Sequence, residues 1–168
     1  NTQVGGKHIE QMKIPLGIVA TDLKSGNAVT FRLGNTGSAV RASSAVPAVF
    51  QPVRIGEREY VDGGLVAPVP VHQARDMGAN FVIAVDISSP PDGNATSDPF
   101  KLLLQTFAIM GHSINEFELK DADVVLRPRL TGVSSADFGA RQRAIDAGRA
   151  AAQAALPTLR RRLAAVAP

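Results

Sequence analysis

The sequence predicts a mixed α/β domain whose mostly parallel sheet lies between layers of helices. Three observations carry that reading. Short runs rich in β-branched residues alternate with longer segments of helical periodicity. One run, Phe81-Val82-Ile83-Ala84-Val85-Asp86-Ile87, is apolar almost without interruption, the pattern of a strand buried on both faces. Two further pairs of runs are separated by only a few turn residues, which adds antiparallel hairpins to the sheet.

In chain order, residues 14–22 read as a buried strand, Lys24-Ser25-Gly26-Asn27 as a turn, and residues 28–33 as an alternating return strand. Gly34-Asn35-Thr36-Gly37 is a loop, and the small residues from Ser38 to Ala45 suit a short helix packed close to a sheet and stopped by Pro47. Residues 53–55 and 59–61 flank Gly56-Glu57-Arg58 as a second hairpin, with Asp62 immediately after it. Pro68 and Pro70 break the chain before a helix over 71–77, closed by Gly78. After the apolar strand, residues 88–97 hold Pro90, Pro91, Gly93 and Asn94 and predict a loop. Asp98-Pro99 is a helix start, with a capping carboxylate and a proline in the first turn. Leu103, Phe107, Met110, Ile114 and Phe117 then fall on one helical stripe. Residues 123–128 predict another strand. Ile145, Gly148, Ala152, Leu156, Leu159 and Leu163 repeat the stripe, with a kink or restart at Pro157.

A length of 168 residues and 45% hydrophobic content describe one ordinary globular domain. The absence of cysteine excludes disulfides and thiolate metal sites. No run approaches the roughly 18 apolar residues of a membrane span. The charge of +3 is small, and three of the basic residues are Arg160, Arg161 and Arg162 near the end of the chain. They read as a solvated helix face, with contact to an anionic membrane surface as the functional alternative. A single Tyr and no Trp argue against nucleic-acid binding. His8, His72 and His112 share no metal-ligand spacing. The first residue, Asn1, is not an initiator, so an export signal upstream stays open; a cytoplasmic or peripheral-membrane setting is favoured over secretion.

The most informative residues are Asp62-Gly63-Gly64 within the run Tyr60-Val61-Asp62-Gly63-Gly64-Leu65-Val66-Ala67-Pro68-Val69-Pro70-Val71. A carboxylate at a strand end can act as base toward a hydroxyl, and two glycines let the backbone turn and approach a neighbour closely. Gly63 or Gly64 is therefore expected in a conformation that other residues avoid. By itself the triplet is a common turn. Ahead of it stands Ala39-Val40-Arg41-Ala42-Ser43-Ser44-Ala45-Val46-Pro47-Ala48-Val49-Phe50-Gln51-Pro52-Val53, and Val69-Pro70-Val71 comes after it. In this order and spacing the blocks resemble the C-terminal half of a bacterial patatin-like phospholipase. The likeness runs from about Gly5-Gly6 to the end of the chain.

That resemblance implies a three-layer patatin-like fold, of which residues 1–168 are the C-terminal part of a single domain. It implies a serine acyl hydrolase acting on phospholipid or another ester through a Ser-Asp dyad, with Asp62 as the aspartate and no cofactor. Gly63 and Gly64 would shape the turn. Ser43 and Ser44 could line the cleft, although close helix packing explains small residues there as well. Asp86 could help shape the cleft or simply end its strand.

No Gly-x-Ser-x-Gly occurs in the chain; Gly37-Ser38 and Gly132-Val133-Ser134 lack the flanking glycine. Gly5-Gly6-Lys7-His8 resembles an oxyanion loop only superficially, because its continuation, Ile9-Glu10-Gln11-Met12-Lys13-Ile14-Pro15, matches the family's connector into the first strand. The nucleophile and the oxyanion loop are thus expected from an upstream segment of the same protein or from a companion chain, and these residues alone are expected to be inactive. The rival reading is a non-catalytic patatin-fold module that binds lipid or a partner protein.

Overall fold

The computed structural model describes residues 1–88, 97–133 and 138–166. β1 (Ile18–Asp22) and β2 (Ala28–Phe31) form the first hairpin. Its turn is organised by Asp22, whose Oδ1 accepts the backbone N–H groups of Lys24 and Ser25 at 3.0 and 2.9 Å. β3 (Val53–Ile55) and β4 (Arg58–Asp62) form the second hairpin around Gly56, whose φ of 61° suits glycine. β4 then pairs with β1, giving a four-stranded sheet in the order β2-β1-β4-β3. Arg58 reaches across to Asp22 at 2.7 Å and ties the two hairpins together.

α1 (Thr36–Ser43) begins at Asn35, whose side chain accepts the Ser38 N–H. Its buried positions are small, so the helix axis comes close to the sheet: Ala42 packs with Ala20, Ala45, Val53 and Tyr60. Phe31 meets Tyr60 edge to face, with ring centres 4.9 Å apart.

The remaining elements gather around a second, parallel pair. β5 (Ile83–Val85) and β6 (Val124–Leu126) run side by side in register Ile83 to Val124. α2 (Val71–Asp76) covers them, and Val69, Val71, Val82, Ala84 and Leu119 form their core. α3 (Pro99–Glu118) starts as predicted, with Asp98 accepting the Phe100 and Lys101 N–H groups. Glu118, at its other end, is buried and accepts the Val71 and His72 N–H groups at 3.1 and 3.2 Å, which caps α2. α4 (Arg141–Val166) continues through Pro157 without interruption. Among the described residues no helix is long and apolar enough to cross a membrane.

The α/β character holds, but the strand directions differ from the mostly parallel expectation. Three of the described pairings are antiparallel, and only β5 with β6 is parallel. Tight turns force this on both hairpins, and β4 returns beside β1 in the opposite sense. β5 is also not buried on both faces: Ala84 is enclosed, whereas Ile83 and Val85 are 46% and 50% exposed. On α3 the buried side chains are Asn115 and Glu118, while Leu103, Met110 and Phe117 of the predicted stripe face outward. Ile145, Leu156 and Leu163 of α4 are exposed too, and alanines 147, 151 and 155 face β6 instead. Most of the predicted 88–97 loop, together with Ser134 and Ser135, lies outside the described residues.

Candidate active site

Asp62 is the last residue of β4, and its backbone is held from two sides. Its N–H donates to the Ala45 carbonyl at 3.0 Å, and its carbonyl accepts the Thr21 hydroxyl at 2.7 Å. The chain then enters a 3-10 turn, Gly63–Leu65, capped by Asp62 itself: Oδ1 accepts the Gly64 N–H at 2.7 Å. A side chain at position 63 would bring its Cβ within 2.3 Å of the Val19 carbonyl oxygen, and one at 64 within 2.9 Å of Asp62 Oδ1. Backbone thus leaves no room for a side chain at 63, whereas one at 64 would press on the Asp62 carboxylate. Neither glycine has positive φ, which corrects the conformational expectation.

The Asp62 carboxyl opens into a cleft of about 300 Å³. One wall comes from the turn after β4 (Gly64, Leu65, Pro68) and from Val46 and Pro47 after α1. The other comes from Ser88, beyond β5, and from Phe107, Ala108, Gly111, His112 and Asn115 on α3. The lining is mainly apolar, with a few polar groups, as small-molecule sites commonly are. Partial burial pushes the Asp62 carboxyl above the ordinary carboxylate range, against the smaller opposing pull of the Gly64 N–H. A carboxylate so placed is a stronger base than a solvated one.

The other sequence-predicted residues divide. Gly64 lines the cleft and Gly63 lies buried beneath it. Ser43 and Ser44 are not in the lining; Ser44 instead donates its hydroxyl to the Val40 carbonyl at 2.7 Å. Asp86 borders a neighbouring cavity. Nothing in the sequence singles out Ser88, His112 and Asn115 as cleft residues. The one hint is that His112 and Asn115 are three apart on one helix and so share a face. One backbone strain borders the cleft: Ala48, directly after Pro47, has φ 66°, the left-handed region that L-residues avoid.

A sequence profile of the patatin-like phospholipase family matches residues 3–75, which include Asp62, both glycines and the α1 block. Over that stretch the chain is similar to the patatin-like phospholipase family. Curated relatives agree with that likeness. An uncharacterised NTE family protein of Mycobacterium tuberculosis is 39% identical over 92 residues, covering 55% of this chain and 26% of that protein. A second one from the same organism is 28% identical over 177 aligned positions, covering 90% of this chain and 30% of its own length. The lysophospholipase NTE1 of Debaryomyces hansenii is 27% identical over 88 residues, 52% of this chain and 6% of that protein. The chain therefore spans less than a third of these two bacterial relatives.

Proposed function

We propose that the protein is a patatin-like lipid acyl hydrolase in which Asp62 is the base of a Ser-Asp dyad. The observation that carries this is the Asp62 carboxylate, half-buried at a strand end and opening into an apolar cleft, with its pKa raised by burial. A serine hydroxyl from outside these residues attacks the ester carbonyl, and its proton passes to Asp62. Backbone N–H groups beside that serine hold the oxyanion while the alcohol departs with the proton. Water then adds to the acyl-enzyme, giving a proton to Asp62 that passes on to the departing serine oxygen as the fatty acid is released. The rest of the fold, supplied by the same polypeptide or a companion chain, covers the exposed faces of β5 and α3.

The test uses the full-length protein and p-nitrophenyl acyl esters. Turnover and labelling by a fluorophosphonate are expected, and residues 1–168 alone should show neither. Asp62→Asn keeps size and shape but cannot take the serine proton, so kcat should fall by about 10²–10⁴ with little change in KM. Full activity in Asp62→Asn would remove the dyad. Lipid binding by a full-length protein that neither turns over nor labels would favour the non-catalytic module.

A further inference from the structure

The positive charge of this chain is gathered on one helix. α4 carries six arginines, Arg141, Arg143, Arg149, Arg160, Arg161 and Arg162, against one acid, Asp146, which makes it +5. The whole chain is only +3, so everything outside α4 carries −2. Charge so unevenly divided within one domain points to an anionic partner.

The apolar residues of α4 are sorted around its axis as well. Ala147, Ala151 and Ala155 face β6. Ile145, Leu156, Leu159, Leu163 and Val166 fall on a second stripe, roughly 140° round the helix from the first at 3.6 residues per turn. Leu159 is half-buried, and the other four are 41–47% exposed. Small residues thus take the sheet and large ones the water, the reverse of an ordinary surface helix. On the same geometry Arg160 falls on one flank of this stripe, Arg162 on the other, and Arg161 on the opposite side. All three are exposed, and Arg162 donates to the Asp123 carbonyl.

We infer that the outer face of α4 is a docking surface for anionic lipid bilayers. Leu156, Leu163 and Val166 enter the acyl boundary, and the long arginine stems carry their guanidinium groups out to the lipid phosphates. The helix lies along the bilayer, since no described helix is apolar enough to cross one. Other occupants account for half of the pattern. A nucleic acid would use the arginines and leave the leucines bare. Cover by the remainder of the protein would explain the leucines but not the arginines beside them. A second copy of the chain would bring like charges together across the face.

The experiment is co-sedimentation of the full-length protein with vesicles of phosphatidylcholine alone and of phosphatidylcholine mixed with phosphatidylglycerol. The mixed vesicles should bind the protein, and added salt should weaken that binding. Arg160→Gln should lower the partition coefficient about fivefold, the worth of one basic residue near such a surface. Leu156→Gln and Leu163→Gln should each lower it about tenfold or more, by withdrawing an apolar side chain from the acyl boundary. Arg161→Gln, on the far side of the helix, should do less than Arg160→Gln. These positions are exposed, so the melting temperature should not move. No binding, equal binding to the neutral vesicles, or binding that none of the variants weakens would overturn the inference. Self-association that Leu163→Gln abolishes, with no vesicle binding, would overturn it in favour of a second copy. None of these residues lines the Asp62 cleft, so the outcome stands apart from the hydrolase reading.

Discussion

The four-stranded half and the parallel-pair half of this molecule keep their apolar residues in opposite ways. All five residues of β1 are buried, and α1 sets Ala39 and Ala42 directly into the core. Of β5 only the middle residue is buried, and no residue of α4 is. Both halves contain comparable apolar runs, so composition does not explain the contrast. What differs is cover. The first half closes on itself through two hairpins and a helix of small residues. The second presents Ile83, Val85, Met110 and Phe117 to water, surface that would gain roughly 25 cal/mol per Å² if enclosed. We read it as the side on which the remainder of the protein docks.

Side-chain truncation should expose that contrast most sharply. Tyr60→Ala removes a buried ring from the first core and should cost about 3–5 kcal/mol in chemical denaturation. Met110→Ala should cost under about 0.5 kcal/mol in residues 1–168 alone but about 2–5 kcal/mol in the full-length protein if the proposed cover is there. Equal small effects in both forms would end the docking argument. Next comes Gly63→Ala, whose new methyl meets the Val19 carbonyl; about 1–3 kcal/mol of stability should be lost, together with activity as Asp62 shifts.

The halves should also fail at opposite ends of the pH scale. Ser25 and Lys24 N–H groups and Arg58 hold the Asp22 carboxyl down to about 2, with Ser25 the largest influence. A depressed carboxylate stabilises above its unfolded value near 3.8 and loses that contribution as pH falls toward 2. In the second half His72 is held between Asp121 and Glu118, at 2.6 and 2.7 Å, and its pKa is raised, chiefly by Asp121. That clamp is complete below the unfolded value near 6.5 and weakens as pH rises through the higher folded value. His72→Gln should flatten the melting temperature above pH 6.5 without altering the acid limb, and Asp22→Asn should do the reverse. The smallest expected effect is a gain: Ala48→Gly relieves a left-handed alanine and should add about 0.5–1 kcal/mol if Pro47 keeps the loop in place.

The two hairpins, α1, the Asp98 helix start and Asp62 at its strand end were legible because each depends on neighbours in sequence. Turn glycines, caps and a strand-terminal carboxylate state their geometry locally. The facing of α3 was not legible in this way. Its leucine, phenylalanine and methionine pattern reports the side with most to bury, whereas the described neighbours meet Asn115 and Glu118. The same reason hid Ser88 and His112, which reach the cleft through packing between distant segments. The triplet signalled a special turn, but the cause at Gly63, closeness to the Val19 carbonyl, exists only after β4 has paired with β1.

The hydrogen bond from Gly64 to Oδ1 makes the two oxygens of Asp62 inequivalent. A free carboxylate turns about its terminal bond and offers either oxygen; this one is held at Oδ1, which leaves Oδ2 as the freer acceptor. The proton therefore has a preassigned address, and a hydroxyl must arrive from one direction to use it. Loss of that N–H would restore the rotation and turn a directional acceptor into a symmetric one. Isotope-edited infrared spectra would register the pinning as a wider separation of the antisymmetric and symmetric carboxylate stretches than a freely turning carboxylate shows.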